Sequence, residues 1–257
     1  MYLTHDDLRK RAPSIFAEHK KEGLSDSRYN FVPTIQVVED MEKSGWFPVR
    51  ANEVHVNKAD REGYQKHLIR FRQHQDMTVG DRCIETVLTN SHDGKSSFIF
   101  MLGIFELVCS NGLIVSRARF EDVRFTHSQY QTKNIHELSG MIVKNSNTIT
   151  RTIKEMQSIT MSKEQTQAFG TVALNKKYDN VSNLDVLHVI NKRRHYEDNS
   201  LWTVFNVVQE NMIKGGIKIN RRRTRGITAI DSTINLNQEL WDLAEQFKVA
   251  LTAQAMA

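Results

Sequence analysis

Several features that would assign a function directly are missing from this sequence. Its 257 residues include only three prolines and two cysteines, Cys83 and Cys109, and no CxxC or Cys/His cluster surrounds either cysteine. These counts argue against a proline-rich linker and against a structural zinc site. No apolar run has the length that spans a membrane, and the N-terminus lacks the basic-then-apolar order of a signal peptide. The sequence therefore predicts a cytoplasmic protein without a membrane partner.

The motifs of the common nucleotide-dependent and hydrolytic enzymes are also absent. GxxxxGK[ST], GxGxxG, HExxH and GxSxG do not occur. We therefore predict a protein that is not an enzyme, with no catalytic residue, no cofactor and no bound metal. A metal-dependent nuclease stays open as an alternative, because Glu85, Glu106 and scattered histidines of the strand region could converge in space. Those histidines are His55, His67, His92 and His127.

The composition is that of a globular protein with a mild positive charge. Hydrophobic residues make up 39% of the chain and charged residues 25%, and the formal net charge is +5. That balance permits binding to nucleic acid without requiring it. The distribution is more informative than the total, because residues 192–225 hold many more cations than carboxylates.

Hydrophobic periodicity divides the chain into a helix, a run of strands and a helical remainder. "FVPTIQVVEDMEKSGW" has helical spacing, with Thr34 as a candidate cap and Gly45 as the residue that ends the helix. From Trp46 to about Arg124 the apolar period is two, and Asp93-Gly94 between two apolar runs predicts a hairpin. After Tyr130 the pattern is helical again.

This order predicts an α+β fold, an antiparallel β-meander flanked by an N-terminal helix and a C-terminal helical region. We expect a loose N-terminal arm with a short helix over 1–30. A core of helix, meander and long helix follows over 31–160, and 161–257 form a helical region with a basic hairpin. In that last region Ser162 and Ser200 are predicted helix caps, and the final helix is predicted over about 238–253.

One group of basic residues lies in the predicted sheet. Lys66, Arg70 and Arg72 share one face of a strand, where successive side chains are about 6 to 7 Å apart, close to the phosphate spacing of an extended single strand. An alternative is a solvated sheet face. Further candidates are the cations Arg117, Arg119 and Arg124 and the aromatic residues Tyr64, Trp46 and Phe120, which could stack on bases.

A second group stands in "GGIKINRRRTRGIT", where Arg221, Arg222, Arg223 and Arg225 fall within five positions and glycines flank them. Arginine binds phosphate through two parallel hydrogen bonds and also stacks on bases. Flanking glycines allow the backbone to approach a ligand closely. We predict a hairpin whose tip contacts nucleic acid, and a solvated tip or an acidic protein partner stays open as an alternative.

Several longer stretches resemble a known family. They are "VVEDMEKSGWFPV", "GYQKHLIRFR", "VLTNSHDGKSSFIFMLGIFELVCSNGLIV" and "SLWTVFNVVQENMIKGG". They resemble the phage- and plasmid-borne family known as domain of unknown function 932, from about Tyr29 to Phe247. The order of helix, β-meander and long helix is also similar to the core of single-strand annealing recombinases, the RecT and ERF class. That likeness is one of element order only.

These resemblances imply a protein of mobile-element origin that binds and anneals single-stranded DNA in recombination, as a homo-oligomeric ring or filament. Annealing requires neither ATP nor a nucleophile, which agrees with the missing motifs. The alternative from another class is an interaction protein that inhibits or adapts a host system through a host protein partner.

Overall fold

The structure, a computed structural model, describes residues 2–25, 31–73, 78–79, 82–96, 98–106, 112–113, 148–193, 196 and 198–256. The chain divides into two compact units, Met1–Ser146 and Asn147–Ala257. The second unit thus begins at Asn147, whereas the predicted C-terminal region begins at residue 161. Residues 147–160 belong with the second unit, where the Ile159 carbonyl accepts a hydrogen bond of 2.8 Å from the Leu201 amide.

The first unit is built on an antiparallel sheet that follows chain order. The sheet runs β1-β2-β4-β5-β6, and the short β3 pairs with β4. The strands are β1 (Trp46–Glu53), β2 (His67–Gln73), β3 (Thr78–Val79), β4 (Arg82–Asn90), β5 (Ile99–Glu106) and β6 (Gly112–Leu113). The helices of this unit are α1 (His5–Arg11) and α2 (Thr34–Lys43), with a 3-10 turn at Pro13–Phe16. The predicted α+β class and meander are confirmed.

Helix α2 begins and ends near the predicted residues, but the residue at its N-cap differs from the prediction. Pro33 occupies the N-cap position, and no side chain caps the helix. Gly45 follows the helix with a φ of 81°, a value that favours glycine. The prediction that Thr34 caps α2 is wrong, because its hydroxyl is drawn into a buried polar network instead.

That network joins the N-terminal segment, α2 and the sheet. The Thr34 hydroxyl lies 3.0 Å from Nε2 of His67 and 3.1 Å from Nε2 of His92, and it accepts a 2.9 Å hydrogen bond from the Asn90 side chain. The second ring nitrogen of His67, Nδ1, lies 2.9 Å from the Ser14 hydroxyl. All five residues are fully buried, so the network fixes the N-terminal segment against the ends of β2 and β4.

The first thirty residues are partly integrated into this unit. Leu8, Ala12 and Ile15 are fully buried, and the Leu3 amide donates a hydrogen bond of 2.7 Å to the Pro48 carbonyl in β1. An arm predicted to be loose from its polar composition therefore contributes apolar side chains to the core.

The second unit is helical. Its helices are α3 (148–158), α4 (Lys163–Asn175), α5 (Asn183–Val189), α6 (Leu201–Lys214) and α7 (Ile230–Met256). Ser162 and Ser200 cap α4 and α6 as predicted. The last helix is longer than predicted and begins at Ile230. Within the described ranges, no helix combines the length and the apolar character needed to cross a membrane.

Helix α6 is the centre of this unit, because its residues from Leu201 to Met212 are all buried. The stacked rings of Trp202 and Phe205 meet Trp241 of α7 edge-on, with ring centroids 6.4 and 6.1 Å from it. The Gln209 amide donates a 2.9 Å hydrogen bond to Asn237 between the same two helices. Helices α6 and α7 therefore form the core of this unit, against which α4 and α5 pack.

Burial makes the first unit sensitive to acid. Loss of hydration lowers the pKa of His67 well below its ordinary 6.5, and the neighbouring His92 lowers it further. The unfolded chain therefore binds a proton at a higher pH than the folded chain. Stability should be retained above about pH 6.5 and lost below it, by up to about 1.4 kcal/mol per pH unit for this residue.

Urea unfolding at about pH 7 and about pH 5 tests this with His67→Asn, which should reduce the loss of stability on acidification. The control is Ser14→Ala, which removes a hydrogen bond to the ring but keeps the titrating group. It should lower stability at both values and preserve the pH dependence. Equal pH dependence in His67→Asn and the unmodified protein would contradict the assignment.

Candidate nucleic-acid interface

The arginine-rich segment folds as a two-stranded hairpin in the second unit. Strand β7 (Lys218–Ile219) pairs with β8 (Arg222–Arg223) in antiparallel register. The connecting residues Asn220 and Arg221 have φ values of 51° and 63°, as in the two-residue hairpin turns that match strand twist. The predicted hairpin is present. Among its four arginines, Arg221 lies in the turn, and Arg222 and Arg223 belong to β8.

The base of the hairpin is a close crossing of two backbone segments. Gly215 ends α6 with a φ of 65°, and a Cβ there would lie 2.4 Å from the carbonyl carbon of Arg225. Hydrogen bonds from Gly216 to Thr224 (2.9 Å) and from Ile227 to Ile213 (2.8 Å) close the crossing on either side. Only glycine fits at this point, which explains the first glycine of the segment.

Arg193 fastens the crossing to the rest of the unit. Its Nη2 donates to the Gly215 carbonyl, and its Nε donates to Oδ1 of Asn211 at 2.5 Å. The Asn211 side-chain amide in turn donates to the carbonyls of Val189 (2.7 Å) and Asn191 (2.8 Å). Asn211 therefore connects α6, the end of α5 and the hairpin. Its place in "NVVQEN" gives no local signal of this role, which sequence reasoning missed.

The turn of the hairpin is held at its other end by α5. The Asn220 amide donates to Oδ1 of Asp185 at 2.9 Å, and Nδ1 of His188 lies 2.9 Å from the Lys218 carbonyl. Asp185 is buried, and hydrogen bonds from the Ser182 backbone and hydroxyl lower its pKa, with a smaller contribution from Asn220. The carboxylate therefore stays charged and oriented as a fixed acceptor for the turn.

The four arginines of the hairpin are exposed. The guanidinium groups of Arg221, Arg222, Arg223 and Arg225 have no carboxylate within 4.0 Å in the part of the chain that the structure describes. The Nη2 atoms of Arg223 and Arg193 lie 3.8 and 4.0 Å from the position that a Cβ would take on Gly216. Positive charge is therefore concentrated around the hairpin, and none of these four guanidinium groups pairs with a carboxylate of the described residues.

The strand arginines are arranged differently. Nε of Arg70 lies 2.6 Å from Oε2 of Glu85, and Nη2 of Arg72 lies 2.6 Å from Oε1 of the same carboxylate. The side chain of Glu85 is fully buried. The two arginine side chains are only 11% and 20% exposed. Burial lowers the pKa of Arg70, and the carboxylate of Glu85 opposes that shift. Contact of Arg70 and Arg72 with nucleic acid stays a prediction, and a phosphate there would have to compete with Glu85.

The remaining predicted contacts are dispersed. Lys66 lies half-buried just before β2, and the Tyr64 hydroxyl lies 2.9 Å from Nε2 of His19. Trp46 is fully buried, so the suggestion that it stacks on bases is wrong. Four predicted contact residues, Arg117, Arg119, Phe120 and Arg124, lie outside the described residues.

The residues suggested for a metal site do not gather in the described ranges, where no group of three or more His, Cys, Asp and Glu side chains is found. His67 and His92 are neighbours, with ring centroids 5.3 Å apart, but both rings lie beside Thr34. Glu85 is bound by arginines. His127 and the side chain of Glu106 lie outside the described residues.

Comparison with known proteins gives consistent matches along most of the chain. A family model with the description "Domain of unknown function (DUF932)" matches residues 23–241. Two proteins of Escherichia coli (strain K12), UPF0380 protein YafZ and UPF0380 protein YfjQ, are each 32% identical over 250 residues, which is 95% of this chain and 90% of each relative. No solved structure gives a significant match. These findings lend no support to the likeness to annealing recombinases.

The ion cluster in the sheet should be a large source of stability. Glu85→Gln keeps the side-chain shape but leaves Arg70 and Arg72 half-buried without their carboxylate, which should cost about 3 to 5 kcal/mol in the free energy of unfolding. Urea denaturation measures the change. Asp60→Asn is the control, because it removes an exposed ion pair with Lys21 in the same unit and should change stability little. A cost below about 1 kcal/mol for Glu85→Gln would contradict this role.

The glycine crossing offers a matched pair of substitutions. Gly215→Ala introduces both an unfavourable φ and a clash with the Arg225 backbone, so it should lower stability by about 3 kcal/mol or more. Gly216→Ala introduces an unfavourable φ, 81°, but its Cβ would meet only the Arg223 and Arg193 side chains at ordinary contact distances of 3.8 and 4.0 Å, so it should cost about 1 to 2 kcal/mol. Urea unfolding of both variants measures the difference. Equal losses of stability in the two variants would mean that the Arg225 backbone moves away from the new Cβ at no cost, and would contradict a tight crossing at Gly215.

Proposed function

The chain belongs to the DUF932 family, and from that premise we propose that it binds nucleic acid, and single-stranded DNA in particular, through the arginine hairpin. The observation that carries this proposal is the exposed cluster of Arg221, Arg222, Arg223 and Arg225 on a hairpin anchored at both ends. The family description assigns no activity, so the proposal rests on the chemistry of this surface.

The anchoring supports a ligand role rather than a merely solvated tip. A loop that only needed solubility would require one or two charges and no fixed backbone. Here Arg193 and Asn211 hold the base, and Asp185 holds the turn. A rigid hairpin presents its guanidinium groups in set positions, so a phosphate chain can bind without first ordering the protein.

The four guanidinium groups are suited to a polyphosphate, because no carboxylate in the described ranges pairs with them. Each can donate two hydrogen bonds to a phosphate oxygen pair, and the bound phosphates reduce the repulsion between neighbouring arginines. Binding would release counterions from the nucleic acid, so affinity should fall steeply as salt rises. The same groups can stack on exposed bases, which favours single strands over duplexes.

The wider setting of the proposal rests on the resemblances. Single-strand annealing during recombination, in the bacterial cytoplasm and on a phage or plasmid, would use this surface for strand binding. A ring or filament of identical subunits would join several hairpins into one track. Light scattering with and without a single-stranded oligonucleotide tests that assembly, and a monomer under both conditions would contradict it.

The alternative of an interaction protein uses the same surface differently. A host protein with an acidic patch would satisfy the arginines through carboxylates instead of phosphates. This alternative predicts little affinity for DNA, so measurements of binding to single-stranded DNA separate the two proposals.

Replacing all four hairpin arginines by alanine tests the function directly. Arg221→Ala, Arg222→Ala, Arg223→Ala and Arg225→Ala together should weaken binding to a single-stranded oligonucleotide. The slope of log affinity against log salt should fall by about 0.7 for each phosphate that the variant no longer neutralises. Fluorescence anisotropy over a salt series measures both quantities.

A control variant removes the same number of positive charges from exposed positions of the first unit, namely Lys10, Arg11, Lys58 and Lys95. It separates local binding at the hairpin from an effect of net charge. Equal decreases in affinity in the two variants, or an unchanged salt slope in the hairpin variant, would contradict binding through the hairpin.

A further inference from the structure

A cleft lies between the hairpin and helix α5. Its volume is about 560 Å³, within the range of about 300 to 1,000 Å³ that is typical of small-ligand clefts. The hairpin contributes one wall and α5 the other. Its lining residues are Ser182, Leu184, Asp185, His188, Lys218, Asn220 and Arg221.

The chemistry of this lining is mixed, which distinguishes the cleft from a plain anion site. Leu184 is 61% exposed and supplies apolar surface, while Lys218 and Arg221 supply two cations. The one carboxylate, Asp185, already accepts hydrogen bonds from the Ser182 amide (3.0 Å), the Ser182 hydroxyl (2.7 Å) and the Asn220 amide (2.9 Å). The side chains that remain for a ligand are therefore apolar, imidazole and cationic.

The cleft is also held open by fixed contacts. Nδ1 of His188 lies 2.9 Å from the Lys218 carbonyl, which sets the ring between α5 and β7. Asn220 is fixed by Asp185 and by a 3.1 Å hydrogen bond to the Asp179 carbonyl. A ligand would meet walls whose spacing is already determined.

We propose that this cleft holds one unstacked nucleobase of the strand bound by the hairpin. An aliphatic side chain, a histidine ring and an arginine guanidinium plane are surfaces on which proteins stack single bases. Lys218 and Arg221 line the same cleft, and their cationic groups can pair with the phosphates that flank the base. This inference rests on the proposed function and adds to it a reason for preferring single strands, because a base in a duplex cannot enter the cleft.

Leu184 is the residue to change, and helix α5 offers its own control. Leu184→Ser removes the apolar wall. Leu187→Ser removes a leucine of the same helix that is 47% exposed but does not line the cleft. Both side chains are exposed, so neither substitution should disturb folding. Each variant is titrated with a single-stranded oligonucleotide and with the same oligonucleotide carrying abasic sites.

Leu184→Ser should weaken binding of the intact oligonucleotide about fivefold and leave binding of the abasic oligonucleotide unchanged. Leu187→Ser should leave both unchanged. If Leu184→Ser acts equally on both oligonucleotides, or on neither, the base cleft is excluded. The hairpin proposal would survive that result as long as the four-arginine variant loses affinity, and it fails separately if the unmodified protein does not bind.

Discussion

Electrostatic repulsion among the hairpin arginines is the constraint around which the second unit is arranged. Exposed cations within one hairpin oppose its closure, since each guanidinium group raises the energy of its neighbours. In the described residues this repulsion is offset by contacts to the hairpin backbone rather than by ion pairs with the arginine side chains. The Gly215 crossing, the Arg193–Asn211 link and the Asp185–Asn220 hydrogen bond act on the backbone and leave the arginine side chains available. A structure that uses its contacts in this way keeps charge at the surface at a cost in stability.

The contrast with the sheet of the first unit makes that arrangement informative. Arg70 and Arg72 also stand close together, but Glu85 lies between them and neutralises part of their charge. There the repulsion is relieved within the fold, and the cluster joins β2 to β4. The two clusters are similarly basic in sequence, so their difference appears only when the positions of the carboxylates are known. Arginines that already pair with a carboxylate of the same fold give weak support for a bound anionic ligand. Arginines on a fixed backbone that do not pair with a described carboxylate favour such a ligand.

The predictable parts of this structure are those governed by local rules. Helix caps at Ser162 and Ser200 and the glycine after α2 follow from short-range backbone chemistry, and the meander follows from a period of two. Thr34 was assigned wrongly because its hydroxyl has partners far away in sequence, at His67 and His92. The pairing of Glu85 with the strand arginines is likewise non-local, since it depends on the register between β2 and β4. The role of Asn211 was missed for the same reason, because its partners lie about twenty residues upstream.

The size of the proposed site limits what one copy can do. Four arginines and one cleft would contact only a few nucleotides, and so short a site would release few counterions and give modest affinity at physiological salt. Annealing requires a strand to be held over a longer stretch, with its bases accessible. Linked copies would supply this, because a second hairpin then binds at the high effective concentration set by the first. A protein acting alone through this hairpin would bind strands transiently, so the annealing proposal depends on assembly more strongly than the binding proposal does.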